Sequence, residues 1–526
     1  MYLAGEEGVN RLIFSFESLI NCIASSEHPL VMFIDDLQWV DDASLKLIEK
    51  LLYSDNTPNC LLIGAYRDNE VNAGHPLYDF ISRSVANKTK LKQLSLKNLS
   101  QNALTQILKD GFKQKISDID GLSELIYSKT GGNPYFTIQF IHKLIDEKVI
   151  SLTSSGNWIY DLERISTQSI ADNLVGLMQD KIIALPAETS ELLSVAAIIG
   201  HEFELSTLQL ITDNSVDAVI KSLLPALQNE LIIATQNYFR FAHDGIQEAA
   251  LQNMNSSAQN NLHLKLGEIL LDKRAKNAAQ NNADIFTICF HLNATQVENL
   301  SSFVRKQRIE LNLEAAIKAK LSAAYDASLS YITIATELIT KANTDTQKVL
   351  CYPVYKEAAE CAFLCNNSDL GNKYIALAEP FAVKNHERFQ LVDLKVKNLV
   401  LLGEYVKSME LGVSALRLYD IDLPNVNDDE SIDDYYNNQE QWLANQWTKQ
   451  NKDITDLYHL PLNTNEETEQ LMALLGELYS CALMSFPNYL KAITITLVNL
   501  SVKNGNTPTS PVAYAWHGSS IAAISD

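Results

Sequence analysis

No apolar run in the sequence approaches the ~20 residues that a helix needs to cross a bilayer, and the start lacks the charged-then-apolar layout of a secretion signal. Both absences predict a cytoplasmic chain. Positive charge is scarce as well: 42 Lys and Arg oppose 64 Asp and Glu, a formal net charge of -22. So acidic a field repels phosphate backbones and anionic headgroups, which makes neither nucleic acid nor a membrane an expected partner. Cysteine is sparse and odd in number. The seven residues Cys22, Cys60, Cys289, Cys351, Cys361, Cys365 and Cys481 are scattered through mostly apolar stretches, and no His or Cys pair at zinc spacing stands near Cys361 and Cys365. They read as reduced core thiols rather than a disulfide framework or a metal centre.

What is present is ample apolar material, 46% of residues against 20% charged, so the chain can bury a core and is not a disordered tail. A length of 526 residues exceeds what one core sustains, and two to four units are expected. From Asn10 to Ala24 the residues Leu12, Ile13, Phe16, Leu19, Ile20 and Ile23 recur at helical spacing. Leu30 to Ile34 is then an unbroken apolar run, which predicts a strand buried on both faces, and Cys60 to Tyr66 repeats the form. Between them Leu45, Ile48, Leu51 and Leu52 mark a helix capped by Asp41 or Asp42, giving a βαβ crossover. Leu91, Leu94 and Leu96 offer one more strand before Ser100 caps the first of two or three helices.

Those helices break at Gly131, Gly132, Asn133 and Pro134, the glycine-then-proline order of helix ends. Helices from about Asn173 lead to two short β runs, Leu231 to Ala234 and Tyr238 to Phe241, around Thr235, Gln236 and Asn237. This order suggests a winged helix. After about Gln259 everything reads as helix with a weak repeat: Ser328, Gly371 and Ser408 stand 43 and 37 residues apart, each followed seven residues later by Ala335, Ala378 or Ala415. Such spacing fits helical hairpins stacked as a superhelix, although one long helical bundle has the same composition. Gly403, Glu404 and Tyr405 form the turn in the clearest copy, and the acidic, Asn-rich stretch from Asn425 to Gln441 reads as a solvated loop or helix face.

The run LVMFIDDLQW, Leu30 to Trp39, sets Asp35 and Asp36 at the C-terminal edge of a parallel strand, where open α/β sheets bind ligands. In a nucleoside triphosphatase one such carboxylate holds Mg²⁺ through water and its neighbour activates the attacking water, which here assigns Asp35 to the metal and Asp36 as base. The same spacing also suits a strand that merely ends in a helix-capping acid pair. Cys60 to Glu70 delivers Arg67 to that edge, either to sense a γ-phosphate or simply to pair with Asp68 or Glu70 in solvent.

Taken together, HPLVMFIDDLQWVDDASLKLIEKLL, LLIGAYRDNEV, HPL, TGGNPYF and FRFAHDGIQEAA resemble the predicted ATPases of the STAND class, the signal-transduction ATPases with numerous domains. The similarity is to the module set in very large bacterial proteins between a kinase-like part and C-terminal sensor or histidine-kinase domains. LRLYDIDLP and VKNGNTPTSPVAYAWHG look like the repeat region of that module. The resemblance implies that Asp35 and Asp36 take the Walker B roles with Mg²⁺ and water, and that Arg67 is the sensor arginine. It further implies that Gly132, Asn133 and Pro134 form the lid element packed against ATP or ADP, where a helix N-terminus would also present free N–H groups to an anion. His243, with Asp244, matches the histidine that approaches the β-phosphate of ADP in related switches, while a lone histidine after a strand also serves structure alone.

The fold class expected is mainly α with an N-terminal α/β part, ordered as a partial P-loop sheet, a helical lid, a winged helix and a helical-repeat superhelix. The boundaries are 1–98, 99–170, 171–256 and 257–526. One element departs from the family: no G-x-x-x-x-G-K-[ST] segment occurs anywhere in the sequence. This absence predicts a fragment of a longer reading frame that binds ATP weakly or not at all by itself. Two functions follow, a nucleotide-dependent switch whose repeats meet protein partners, or a non-catalytic scaffold that has lost its phosphate loop. DNA reading by the winged helix is disfavoured, since Leu185 to Met254 holds two basic and nine acidic residues.

Overall fold

The computed structural model describes residues 5–54, 56–57, 59–68, 70–71, 75–86, 91–113, 118–167, 174–236, 238–276, 285–295, 301–340, 345–450 and 454–525. Two compact units form, one from Met1–Lys90 with Val297–Asp526 and one from Leu91–Gln296. The architecture is mainly α with an N-terminal α/β part.

In the first unit, α1 (Gly5–Ile23) buries Ile13 and Ile20, seven residues apart and so on one side of the helix. Strands β1 (Leu30–Ile34) and β2 (Cys60–Gly64) pair in parallel from Leu30↔Cys60 to Ile34↔Gly64. The connection is α2 (Asp42–Tyr53), whose N-cap Asp41 accepts the Ser44 N–H, so the βαβ unit stands where the hydrophobic pattern put it. α3 (Pro76–Ala86) follows. One expectation needs correcting: the two strands are not buried on both faces. Val31 (56%), Phe33 (62%), Leu61 (57%) and Ile63 (42%) are exposed, because side chains alternate along a strand and, among the described residues, nothing packs over the odd-numbered side. The strand expected at Leu91, Leu94 and Leu96 is also absent. Leu94 and Leu96 are 84% and 88% exposed, and the segment finds no ladder partner, without which an apolar alternation cannot become a strand.

The second unit opens with α4 (Gln101–Gly111), capped by Ser100, then α5 (Ile119–Thr130) and α6 (Pro134–Asp146). A hairpin, β3 (Ile150–Leu152) with β4 (Trp158–Tyr160), and α7 (Leu162–Thr167) complete a core around Leu104, Leu122, Ile126, Phe140, Leu144 and Ile150. Next come α8 (Leu174–Ile183), α9 (Ala187–Ile199), β5 (Glu202–Phe203), α10 (Leu205–Thr212), α11 (Val216–Gln228), β6 (Ile232–Ala234), β7 (Phe239–Phe241) and α12 (Asp244–Gln252). The three strands make an antiparallel sheet in the order β5-β7-β6 beside those helices, the layout of a winged helix. Asn237 of the expected hairpin turn, and the expected boundary between 170 and 171, lie outside the described residues. α13 (Ser256–Lys276) and α14 (Ile285–Asn293) close this unit, with Gly267 admitting Leu292 where a Cβ would collide at 2.5 Å.

The remainder is helical hairpins: α15 (Ser302–Leu321), α16 (Tyr325–Thr340), α17 (Asp345–Leu364), α18 (Ser368–Ala378), α19 (Asn385–Leu401), α20 (Tyr405–Leu416), α21 (Asp429–Gln450), α22 (Glu466–Ser485), α23 (Leu490–Asn504) and α24 (Ser510–Ser525). Ser328, Gly371 and Ser408 sit buried near the starts of α16, α18 and α20. Ser328 Oγ donates to Ala316 O at 2.7 Å and Ser408 Oγ to Val396 O at 3.4 Å, each 12 residues back on the preceding helix. A Cβ on Gly371 would strike Phe363 at 2.2 Å, so each small residue is where its hairpin closes.

Candidate functional site

The ladder between β1 and β2 runs one step past the strands, with Ala65 N–H donating to Ile34 O and Leu37 N–H to Ala65 O, both at 2.9 Å. This tether turns the chain sharply after Ile34. Asp36 takes up the turn in the left-handed region (φ 54°, ψ 42°), a strained conformation that Asp tolerates better than most residues. Asp35 Oδ1 accepts the Asp36 N–H at 3.0 Å, and Asp36 Oδ1 accepts from Gln38 Nε2 at 2.8 Å. Gln38 is only 5% exposed, and its Oε1 accepts the Arg67 N–H at 3.2 Å. Its amide can be oriented in one way only, because the reverse would set oxygen against carboxylate and NH₂ against N–H.

Arg67 thus arrives beside the acid pair from the loop after β2. Its guanidinium lies 3.8 Å from Asp36 Oδ1, donates to Glu70 Oε1 at 3.0 Å and sits 5.6 Å over the Trp39 ring. The solvent pairing with Glu70 considered for Arg67 is therefore present together with the contact to Asp36. His75 accepts the Leu77 N–H on Nδ1, which leaves the hydrogen on Nε2 to donate to Gln38 O at 3.0 Å. Gln38, Trp39 and His75 were not singled out from the sequence, and Glu70 only as a solvent partner for Arg67. The only signal was their place inside the LQW, RDNE and HPL stretches.

The second set of predicted residues lies in the other unit. Gly131 (φ 59°) ends α5 and Gly132 (φ 73°) follows, a pair of left-handed residues before Asn133 caps α6 by accepting the Phe136 N–H at 3.1 Å. Pro134 occupies the first helical position. The approach to α4 is stitched onto this turn, with Leu99 N–H donating to Gly132 O at 2.8 Å and Asn98 Nδ2 to Gly131 O at 3.0 Å. His243 caps α12, its Nδ1 accepting the Gly245 N–H at 3.0 Å, so the neutral ring carries its hydrogen on Nε2. Asp244 Oδ1 lies 3.3 Å from His201 Nδ1. Tyr135, next to Pro134, lies tilted against the His243 imidazole with ring centres 4.9 Å apart, which brings the Gly132–Pro134 turn and His243 into one neighbourhood. Burial, and the charge of Glu230, raise the Tyr135 phenol above its ordinary pKa.

Asp35 and Asp36 are hard oxygen donors at a strand end. Mg²⁺ is an ion that takes one or two such carboxylates beside substrate phosphates; among the described residues there is no group of three or more metal-binding side chains.

Residues 2–63 match the family model described as AAA ATPase domain. The likeness to that domain lies in this segment. The segment contains β1, the acid pair, α2 and most of β2. Over longer spans the chain is similar to hybrid signal transduction histidine kinase G of Dictyostelium discoideum, 23% identical over 539 residues that include 79% of this chain. It is also similar to the peroxide stress-activated histidine kinase mak3 of Schizosaccharomyces pombe, 25% identical over 401 residues and 71% of this chain. The chain spans 16% of the length of each. Among solved structures, a STAND protein with a tetratricopeptide repeat sensor from Pyrococcus horikoshii aligns over 97% of this chain and 73% of its own, at 13% identity and a TM-score of 0.41. Among the described residues, no helix is long and apolar enough to cross a membrane.

Proposed function

We propose that the chain is the switch module of a signal-transduction ATPase of the STAND class, in which ATP or ADP with Mg²⁺ biases two packings of core, lid and winged helix while the helical repeats meet a protein partner. The observation that carries this reading is the acid pair at the end of β1, inside the segment that resembles an AAA ATPase domain, with Arg67 brought to 3.8 Å of Asp36. In this reading Asp35 holds Mg²⁺ through water, Asp36 is the base for the attacking water, and Arg67 answers the γ-phosphate once released from Glu70. Mg²⁺ would supply charge neutralisation for the transferred phosphoryl group. Gly132, Asn133 and Pro134 would line the base of the nucleotide at the α6 N-terminus, and His243 would donate Nε2–H to a phosphate. The module would work in the cytoplasm within a longer polypeptide that carries kinase or sensor domains; the length of the two histidine kinases it resembles supports that. The division proposed is core to 98, lid to 170, winged helix to 256 and repeats beyond.

A non-catalytic scaffold is the second reading, favoured by one fact: no phosphate-loop motif occurs in the sequence. Nucleotide binding decides between them. The full-length polypeptide should bind ATP and turn it over, with Asp36→Asn retaining binding and losing turnover by at least about a hundredfold. The 526-residue chain alone should bind weakly or not at all. Unchanged turnover in Asp36→Asn removes the base assignment, and full-length protein that ignores ATP leaves the scaffold.

A further inference from the structure

Helix α6 serves two cores at once. Phe140 and Leu144 are buried in the core of the proposed lid with Leu104, Leu122 and Ile126. One turn earlier, Tyr135 and Phe136 pack instead against the winged-helix core built on Met178, Leu193, Phe203 and Ile246. The Tyr135 hydroxyl points to Met178 Sδ at 3.8 Å, and Gln139 accepts from Lys181, both partners on α8. α6 is thus fastened along one side to α8, and its first turn ends against α12.

The meeting point is the ring pair. The His243 imidazole is held by the Gly245 N–H on Nδ1 and lies against the Tyr135 ring, tilted by 32° with centres 4.9 Å apart. Asn133 and Pro134, which set where α6 begins, are two residues and one residue from Tyr135. A shift of the α6 start therefore moves the ring that the imidazole leans on. Tyr135 and His243 are both half-buried, and such a shift passes through the face that the two rings share.

We infer that Tyr135 is a positioning residue that couples the Gly132–Pro134 turn to His243, its ring holding the imidazole in the rotamer that caps α12 and keeps the hydrogen on Nε2. The coupling stands on packing alone. Its use as a nucleotide relay rests on the function proposed above: a phosphate arriving at the α6 start would be reported to α12 through this pair, and the His243 Nε2–H would be aimed before the ligand arrives. Lid and winged helix then respond to one ligand as a two-state element rather than as two independent contacts.

The test is ¹⁵N NMR of histidine-labelled full chain, with the His243 ring assigned by loss in His243→Asn. The ring should show the Nε2–H tautomer in the wild type and in Tyr135→Phe, which keeps the ring. In Tyr135→Leu, which keeps apolar bulk, the signals should average between tautomers, and the Gly245 amide should exchange about fivefold faster or more as its cap loosens. Asn133→Ala should move the His243 signals when Tyr135 is present and leave them still in Tyr135→Leu. An Nδ1–H tautomer in the wild type, or an Asn133→Ala effect of equal size in both backgrounds, overturns the coupling. A separate arm adds ADP with Mg²⁺ to the full-length polypeptide. Should His243 ignore ADP while the Asn133 effect still runs through Tyr135, the coupling holds and the nucleotide reading falls.

Discussion

A Cβ on Gly132 would lie 2.2 Å from the Leu99 carbonyl oxygen, and the backbone there has φ 73°. Gly131 shares the left-handed backbone (φ 59°) but has open space around its Cα. Gly132→Ala should therefore destabilise by more than ~2 kcal/mol, and Gly131→Ala by only ~1 kcal/mol. Urea unfolding of the two variants compares them directly, and a larger loss for Gly131→Ala would contradict the geometry. At this scale the sequence disclosed part of the site. The place of Asp35, Asp36 and Arg67 was legible because an apolar strand must stop somewhere, and polar residues at the stop lie at the sheet edge. Gln38 was not, since its amide is placed by Asp36 and by the Arg67 N–H of the loop after β2, which meet only in the fold. Tyr135 was hidden for a like reason: an aromatic after Gly-Asn-Pro reads as core, and its partner lies more than a hundred residues on.

Among the elements, α13 and α14 meet through two histidines, His263 Nδ1 and His291 Nδ1 at 2.9 Å. One nitrogen must bear the hydrogen and the other accept it, so the contact cannot survive both rings being charged. Burial first, and then the neighbouring His263, bring the His291 pKa down to about 4, while an unfolded chain titrates near 6.5. The folded-state value is depressed, so stability is whole above ~6.5 and falls as pH drops toward 4, by up to roughly 3 kcal/mol. Urea midpoints at pH 7 and pH 5 should differ in the wild type, and the difference should shrink in His291→Phe. Helices were the readable elements because period and caps agree, as at Asp41, Ser100 and Asn133. The β3-β4 hairpin was missed although Ile-Ser-Leu and Trp-Ile-Tyr flank Ser-Gly-Asn, since three-residue strands are too short for alternation to stand out. Leu94 and Leu96 failed in the opposite sense, a period without a partner.

Over the whole molecule, two of the cores within the described repeat helices, one from Ile309 to Leu391 and one from Phe389 to Ala513, are both fed by α19. Neighbour-to-neighbour stacking of this kind unfolds in pieces when the shared helix is weakened. Leu391→Ala should lower the melting of the first piece and Phe389→Ala that of the second, each by ~2 to 5 kcal/mol in calorimetry. A single unsplit transition that both variants shift alike would show the cores to be one. The small-residue period at Ser328, Gly371 and Ser408 made this architecture legible, because close helix approach leaves a mark in composition. The flank of β1 and β2 left no such mark, and it governs handling. Val31, Phe33, Leu61 and Ile63 form an oily strip open to water, which will take up reporter dyes, recruit chaperones during expression and favour clumping on concentration, so that serine at position 33 is the first change to make for a well-behaved preparation.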